Sequence, residues 1–149
     1  MTSSRRIIHL VRRAMSSTVA RRLTEVELTQ VQDVLSESEW ALWLKLSRAD
    51  QRHSFMIGMR FDRLCPDAPR TALAGAFLHD IGKSESKIGT ASRVATTLIG
   101  PYSPRTKRYH DHEHIGEQLL VAANSDSVTI DTACGRGRWG ASLRQADDV

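Results

Sequence analysis

Residues 72–83 read ALAGAFLHDIGK, and this stretch decides the fold. Its first half is small and apolar on nearly every face, which predicts a helix buried at the centre of the molecule. His79 and Asp80 come at the end of that helix, and Gly82 is expected to stop it just beyond them. An ionised aspartate at a buried helix end is costly unless it is paired or binds a cation. The stretch therefore predicts a central helix with a polar site at its C-terminal end.

Helical patterns lie on both sides of this stretch. Thr24 and Glu27 have the spacing of a capping box, which starts a helix. Ser47 is expected to start the helix before the central one, and Cys65 to end it. No segment alternates with period two between hairpin turns, so strands are not expected. We predict an all-α fold, a single helical bundle, with one domain over residues 24–149.

Two further expectations concern the C-terminal third. On a continuous helix His110 and His114 would share a face while His112 points away, and a break near Asp111 would instead let His112 join them. An amphipathic helical piece is expected to follow over residues 115–123. The last segment, residues 139–149, is expected to form a helix that turns Leu143 and Ala146 towards the core.

The composition is that of one soluble globular domain. The chain has 149 residues, of which 40% are hydrophobic and 26% charged. No apolar run approaches the ~20 residues that span a bilayer, so no membrane span is expected. Cys65 and Cys134 lie far apart without a CxxC spacing, which favours reduced thiols in a cytoplasmic protein. The net charge of +4 suits phosphates, nucleic acid or anionic membranes alike. Aromatic residues are only 5%, which disfavours a nucleic-acid-binding face.

Residues 1–23 have a composition of their own. They contain six arginines and no acidic residue. We predict a basic, flexible N-terminal arm. An organellar transit peptide, which is also arginine-rich and acid-poor, is one alternative. A basic segment that touches an acidic partner is the other.

Histidines are concentrated in the middle of the chain. Five of the six lie between His53 and His114, together with Asp80. Imidazole plus carboxylate is the ligand mix of Zn, Mn, Fe or Ni rather than of Ca. A simpler alternative is that Asp80 pairs with Lys83. The sequence thus offers a divalent-metal site centred on His79 and Asp80.

Several segments together resemble a known family. Residues 77–83, FLHDIGK, look like the signature of the HD-domain metal-dependent phosphohydrolases, in the HDIG branch. Residues 51–54 place a histidine 26 positions before His79, where the family has its first one. Residues 112–120 resemble the family's His-x-x-x-Gly-x-x-Leu-Leu segment, and residues 146–148 its terminal Ala-Asp. The likeness is greatest to compact HD proteins of high-GC bacteria and covers roughly residues 37 to 123 plus the final turn.

The resemblance implies a function and a site. His53, His79, Asp80 and Asp147 would hold one divalent metal ion: Mn, Fe, Ni or Zn, with Mg as a further option. His112, or its neighbours His110 and His114, would hold a second ion or bind phosphate. The metal would lower the pKa of a water molecule towards ~7 and so supply hydroxide for attack on phosphorus. Lys83 would contact a phosphate oxygen, and Asp80 would take or give the proton. The substrate would be a nucleotide or other phosphate ester, a phosphate-containing small molecule.

The chain also departs from the family pattern. Two-metal relatives have a further histidine before the terminal aspartate, whereas Ser125 to Gln145 contains none. The segment carries Gly135–Arg138 instead, which is expected to be a flexible loop or else a phosphate cradle. The number of metal ions is therefore one or two. The alternative function is a degenerate HD domain that binds a nucleotide or a partner protein without hydrolysis. No Gly-Tyr-Pro follows the His-Asp pair, which disfavours a cyclic-di-GMP substrate.

Overall fold

The computed structural model describes residues 21–84 and 105–148. Within these ranges every regular element is a helix and no strand occurs, which confirms the predicted all-α fold. The helices are α1 (Glu25–Val34), α2 (Glu37–Trp43), α3 (Arg48–Leu64), α4 (Arg70–Leu78), α5 (Arg105–Ala122), α6 (Ser127–Ala133) and α7 (Gly140–Asp147). Side chains of α5 are described from His114 onward. No helix in the described ranges is both long and apolar enough to cross a membrane.

Hydroxyl side chains start the first three helices. Thr24 accepts a hydrogen bond from the backbone of Glu27, whose carboxylate accepts one from the backbone of Thr24, as the capping-box spacing predicts. Ser36 and Glu39 form the same reciprocal pair at the start of α2. Ser47 caps α3 as expected. Each cap satisfies backbone N–H groups that have no partner within the helix.

Helix α4 is the central buried helix, as its composition predicts. It packs against α1, α3 and α6. Its small residues let α6 come very close, because a Cβ atom at Gly75 would lie 2.6 Å from the carbonyl oxygen of Thr129. The hydroxyl of Thr129 donates to the carbonyl of Thr71, 2.9 Å away, and so joins α6 to the first turn of α4. The buried residues of α4 are Ala72, Ala74, Gly75, Ala76, Phe77 and Leu78.

The end of α4 differs from the sequence-based expectation. The helix ends at Leu78, with His79 as its C-cap, and Gly82 begins a further helical turn instead of stopping α4. Side chains compete for the last carbonyls of the helix: His79 Nδ1 bonds to the carbonyl of Ala76, and the Ser54 hydroxyl to that of Phe77. His79 and Asp80 consequently lie in a turn at the edge of the core.

Helix α5 runs without interruption past residue 111, so the alternative with a break near Asp111 is wrong. Residues 105–115 contain neither glycine nor proline, and nothing in that stretch opposes a continuous helix. The helix ends at Ala122, and Asn124 closes the turn that follows with a φ of 55°, the left-handed conformation found after many helices. The backbone N–H of Ser125 then donates to the carbonyl of Leu120.

The final helix forms as predicted. Helix α7 lies within residues 139–149, and Leu143 and Ala146 are both buried. It packs against α3 and α6. Its position sets the location of Asp147, the last residue of the helix.

The turn at Gly135–Arg138 is anchored, contrary to the expected flexible loop. Arg136 forms ion pairs with Glu117 on α5 and Asp131 on α6. Its guanidinium lowers the pKa of Glu117 through a side-chain hydrogen bond. Arg138 stacks over the Trp139 ring, 4.7 Å from its centroid. Because Arg136 is engaged by two carboxylates, the turn is not a preformed phosphate cradle.

Residues 1–20 lie outside the described part of the chain, so the flexible arm stays a prediction there. Leu23, at its end, packs against the hydrophobic core. Arg52 donates to the carbonyls of Arg21 and Arg22. The last three residues of the predicted arm thus contact the helical domain.

Candidate metal centre

Three helices bring two imidazoles and a carboxylate to one point. His53 comes from the first half of α3, His79 follows α4, and Asp147 ends α7. His53 Nε2 lies 3.2 Å from Asp147 Oδ1, and His79 Nε2 lies 3.9 Å from the same oxygen. One ligand atom from each residue falls within 4.8 Å of the other two. The predicted ligands from three distant parts of the sequence therefore meet in the fold.

The protein itself fixes the tautomer of His79. Its Nδ1 lies 2.8 Å from the carbonyl oxygen of Ala76. A carbonyl oxygen can only accept, so Nδ1 carries a proton, and in the neutral ring Nε2 carries the lone pair. The side chain is only 7% exposed, and Nε2 has no hydrogen-bond partner among the described residues. A buried lone pair without a partner is the arrangement that a metal-ligating histidine needs, with its other nitrogen held by a carbonyl.

His53 presents a second nitrogen of the same kind. Its side chain is 34% exposed, but Nε2 itself is shielded from solvent. No described residue satisfies hydrogen-bond geometry with this atom, although Asp147 Oδ1 is close. Leaving a polar atom buried without a partner is unfavourable in an apolar protein interior. Two such atoms beside one carboxylate point to a cation between them.

Asp80 and Lys83 lie at the edge of this group. Asp80 Oδ2 is 3.7 Å from His53 Nε2 and 3.5 Å from His79 Nε2. The same oxygen forms an ion pair with the Lys83 ammonium. The simpler alternative from the sequence, a pair between Asp80 and Lys83, is therefore present. It coexists with the ligand group, because the paired oxygen still faces both imidazoles.

The surroundings keep Asp147 ionised. The polar contact with the His53 imidazole lowers its pKa to about 2, against the opposing effect of burial, and the charges of His79, His53 and Lys83 act in the same direction as that contact. Arg60 on α3 donates to the carbonyl of Ala146, next to Asp147 in the chain. The carboxylate is thus charged, and the backbone next to it is bonded to the helix that carries His53.

The donors fit one divalent cation. Zinc–ligand bonds of about 2.0–2.2 Å place neighbouring donors roughly 3–3.6 Å apart. The separations of 3.2 Å, 3.5 Å, 3.7 Å and 3.9 Å between imidazole nitrogens and carboxylate oxygens lie close to that range. The two imidazoles and the Asp147 carboxylate are ligand types that suit Zn, Mn, Fe or Ni, and Asp80 lies next to this close group of three.

The sequence also predicted ligands among His110, His112 and His114. The side chains of His110 and His112 lie outside the described residues, so His112 as a ligand stays a prediction. His114 is exposed, and its Nε2 lies 3.1 Å from the amide nitrogen of Gln118. His114 is therefore a surface residue in this structure and not part of the group around His79.

Two residues near the site were not found from the sequence. Arg60 links α3 to α7, and Ser54 links α3 to the end of α4. Ser54 stands directly after His53 and has buried apolar neighbours, Phe55 and Ile57. A lone polar residue on the buried face of an amphipathic helix needs a hydrogen-bond partner, so the sequence pattern marked Ser54 without identifying that partner.

Comparison with known proteins gives no match: no family model, no curated protein and no solved structure matches this chain. The likeness to HD-domain proteins therefore rests on the motifs quoted above. The function has to be argued from the geometry of the site.

Proposed function

We propose that this protein is a metal-dependent phosphohydrolase acting on a nucleotide or other phosphate ester. One observation carries the proposal: the buried Nε2 atoms of His53 and His79, which make no hydrogen bond of good geometry with any described residue, face the Asp147 carboxylate from a third helix. Such a group is built to hold a divalent cation, and motif likeness supplies the reaction class. Cys65 and Cys134 form no disulfide within the described part of the chain, which suits a cytoplasmic location.

The position of each residue in the site suggests its role. His53, His79 and Asp147 would hold the cation, with Asp80 as a fourth ligand. When bound, a divalent cation polarises a phosphoryl oxygen and lowers the pKa of a coordinated water molecule. Asp80, whose carboxylate is 17% exposed, lies where it can exchange a proton with a group at the site.

Lys83 would bind the substrate phosphate. Its side chain is 37% exposed and reaches Asp80 Oδ2, at the solvent side of the two imidazoles. Its flexible four-carbon stem allows the ammonium to move from Asp80 to a phosphoryl oxygen that enters the site. A positive charge at that point would offset the negative charge that builds up on phosphoryl oxygens during transfer.

A second candidate function is a domain that binds a phosphate-containing ligand or a partner without hydrolysis. The ion pair between Lys83 and Asp80 favours it, because that pair balances one carboxylate without any metal. The absence of histidine between Ser125 and Gln145 also favours it. Metal-dependent turnover separates the two candidates.

The test measures phosphate release from p-nitrophenyl phosphate and from nucleoside mono-, di- and triphosphates. The protein is loaded in turn with Mn²⁺, Fe²⁺, Ni²⁺, Zn²⁺ and Mg²⁺. We expect turnover with at least one metal, lost in His79→Ala and retained in His114→Ala, a matched histidine outside the site. No metal-dependent turnover in wild type, or equal turnover in the two variants, would overturn the proposal.

A further inference from the structure

A buried chain of two hydrogen bonds joins three helices beside the candidate metal centre. Trp43 Nε1 on α2 donates to Ser54 Oγ on α3 at 2.8 Å. Ser54 Oγ donates to the backbone carbonyl of Phe77 on α4 at 2.5 Å. Trp43 and Ser54 are 0% exposed and Phe77 is 1% exposed. The chain is therefore shielded from water along its whole length.

The chemistry of the three groups fixes its direction. An indole N–H can only donate, and a carbonyl oxygen can only accept. The single hydroxyl proton of Ser54 must therefore go to Phe77, and its lone pair must receive the Trp43 N–H. The last four carbonyls of a helix have no partner within it, so the Phe77 carbonyl needs this hydroxyl. No other assignment satisfies all three groups.

This chain of hydrogen bonds also lies directly beside the candidate ligands. Ser54 directly follows His53, and the Phe77 carbonyl is next to the Ala76 carbonyl that holds His79 Nδ1. Two consecutive carbonyls at the end of α4 thus receive one bond from His79 itself and one from the neighbour of His53. The Ser54–Phe77 bond therefore sets how α3 is rotated about its axis and how far it is shifted along α4. It does so beside the two imidazoles.

We propose that Ser54 is a positioning residue for the metal centre, which holds His53 Nε2 and His79 Nε2 at the separation that one cation requires. This inference rests on the proposed function, since it presupposes that the two imidazoles bind a metal. Ser54 does not touch the ion. It acts through its bond to the end of α4, one carbonyl away from the Ala76 carbonyl that holds the His79 ring.

A matched control exists at the opposite end of α4. Thr129 is 1% exposed, and its hydroxyl donates to the carbonyl of Thr71 in the first turn of α4. Thr129→Val and Ser54→Ala each remove one hydroxyl bond to a carbonyl of the same helix, and Ser54→Ala also removes the acceptor of the Trp43 N–H, which Trp43→Phe tests separately. Both variants are expected to lower the unfolding temperature. Only Ser54→Ala removes a bond next to the ligands.

The experiment titrates Zn²⁺ into each variant against a chromophoric chelator and records the visible spectrum of the Co²⁺ form. We expect Ser54→Ala to bind Zn²⁺ about 10- to 100-fold more weakly than wild type, with shifted Co²⁺ bands. Thr129→Val should match wild type in both measurements. Trp43→Phe removes the donor to Ser54 but leaves the bond to Phe77, so its Zn²⁺ affinity should fall less than that of Ser54→Ala.

The outcomes are distinguishable. Zn²⁺ affinity in Ser54→Ala equal to that in Thr129→Val, with an unchanged Co²⁺ spectrum, would overturn the positioning role while leaving the metal site intact. If Ser54→Ala does not fold, Ser54→Cys, whose thiol is only a weak donor to the Phe77 carbonyl, replaces it, and wild-type affinity and spectrum in that variant would overturn the role instead. A wild-type protein that binds no Zn²⁺ would overturn the proposed function and this inference together.

Discussion

Gly58→Ala tests the packing that holds α3 against α4. A Cβ atom built at Gly58 would lie 2.9 Å from Phe77 Cζ and closer still to Cδ1 and Cε1 of the same ring. Ordinary carbon–carbon contacts are about 3.5–4.0 Å. The Phe77 ring is 1% exposed and stacks on Phe55, with centroids 6.4 Å apart. The ring cannot move away without displacing a second buried ring.

Two opposing effects decide the magnitude. Overpacking a buried site costs about 1–3 kcal/mol, and contacts this short call for the upper end of that range. Alanine favours a helix over glycine by about 0.5–1 kcal/mol, which offsets part of the cost. The cost of overpacking is larger than the gain in helix propensity, so the free energy of unfolding of Gly58→Ala should be about 2 kcal/mol below that of wild type.

A double-mutant cycle with Phe77→Leu shows whether the ring is the cause. Phe77→Leu alone should cost about 1–2 kcal/mol through the space it opens. In the Gly58→Ala background the new methyl group fills part of that space. The two changes should therefore couple favourably by about 1–2 kcal/mol, as contacting residues do. Urea unfolding followed by circular dichroism measures all four proteins. Costs that add to within about 0.5 kcal/mol would refute the reasoning.

Three further predictions concern α1, α2 and α4. Ser36→Ala removes the cap of α2 and should lower the free energy of unfolding by about 1 kcal/mol in urea titrations, and no change would contradict the capping role. Gly75→Ala places a Cβ atom 2.6 Å from Thr129 O and from Thr132 Cβ, so it should destabilise the protein by at least about 1 kcal/mol despite better helix propensity. For Glu27, the backbone hydrogen bond from Thr24 and then the Arg52 side chain lower the pKa below 4.5. That stabilisation is present above pH 4.5 and is lost as the pH falls through the lowered pKa. The stability that Glu27→Gln loses relative to wild type should therefore shrink on acidification. A stability difference in thermal unfolding that does not change with pH would speak against this prediction.

Local signals in the sequence predicted the helices well. Caps at Thr24 and Ser47 are read from side chains within one turn, and both start helices as expected. The small apolar composition of residues 72–78 predicted the central helix. The end of that helix could not be read locally, because a hydroxyl from α3 takes the carbonyl of Phe77. Gly82 was a misleading stop signal for this reason.

The sequence predicted the candidate ligands but missed the residues that support them. His53 and His79 came from motif likeness, and the structure brings them together with Asp147, whose sequence signal was weak. Ser54 and Arg60 were missed because their partners, carbonyls on α4 and α7, have no side-chain signature. Backbone partners across helices follow only from the packed fold.

The most direct test of the account is the metal content of the purified protein. Wild type, Asp147→Asn and His114→Ala are reconstituted with Mn²⁺, Fe²⁺, Ni²⁺ or Zn²⁺, desalted and measured by mass spectrometry. The account predicts about one tightly held ion per chain in wild type and His114→Ala, and a clear loss in Asp147→Asn. No retained metal in wild type, or the same content in Asp147→Asn, would contradict the claim that His53, His79 and Asp147 form a metal centre.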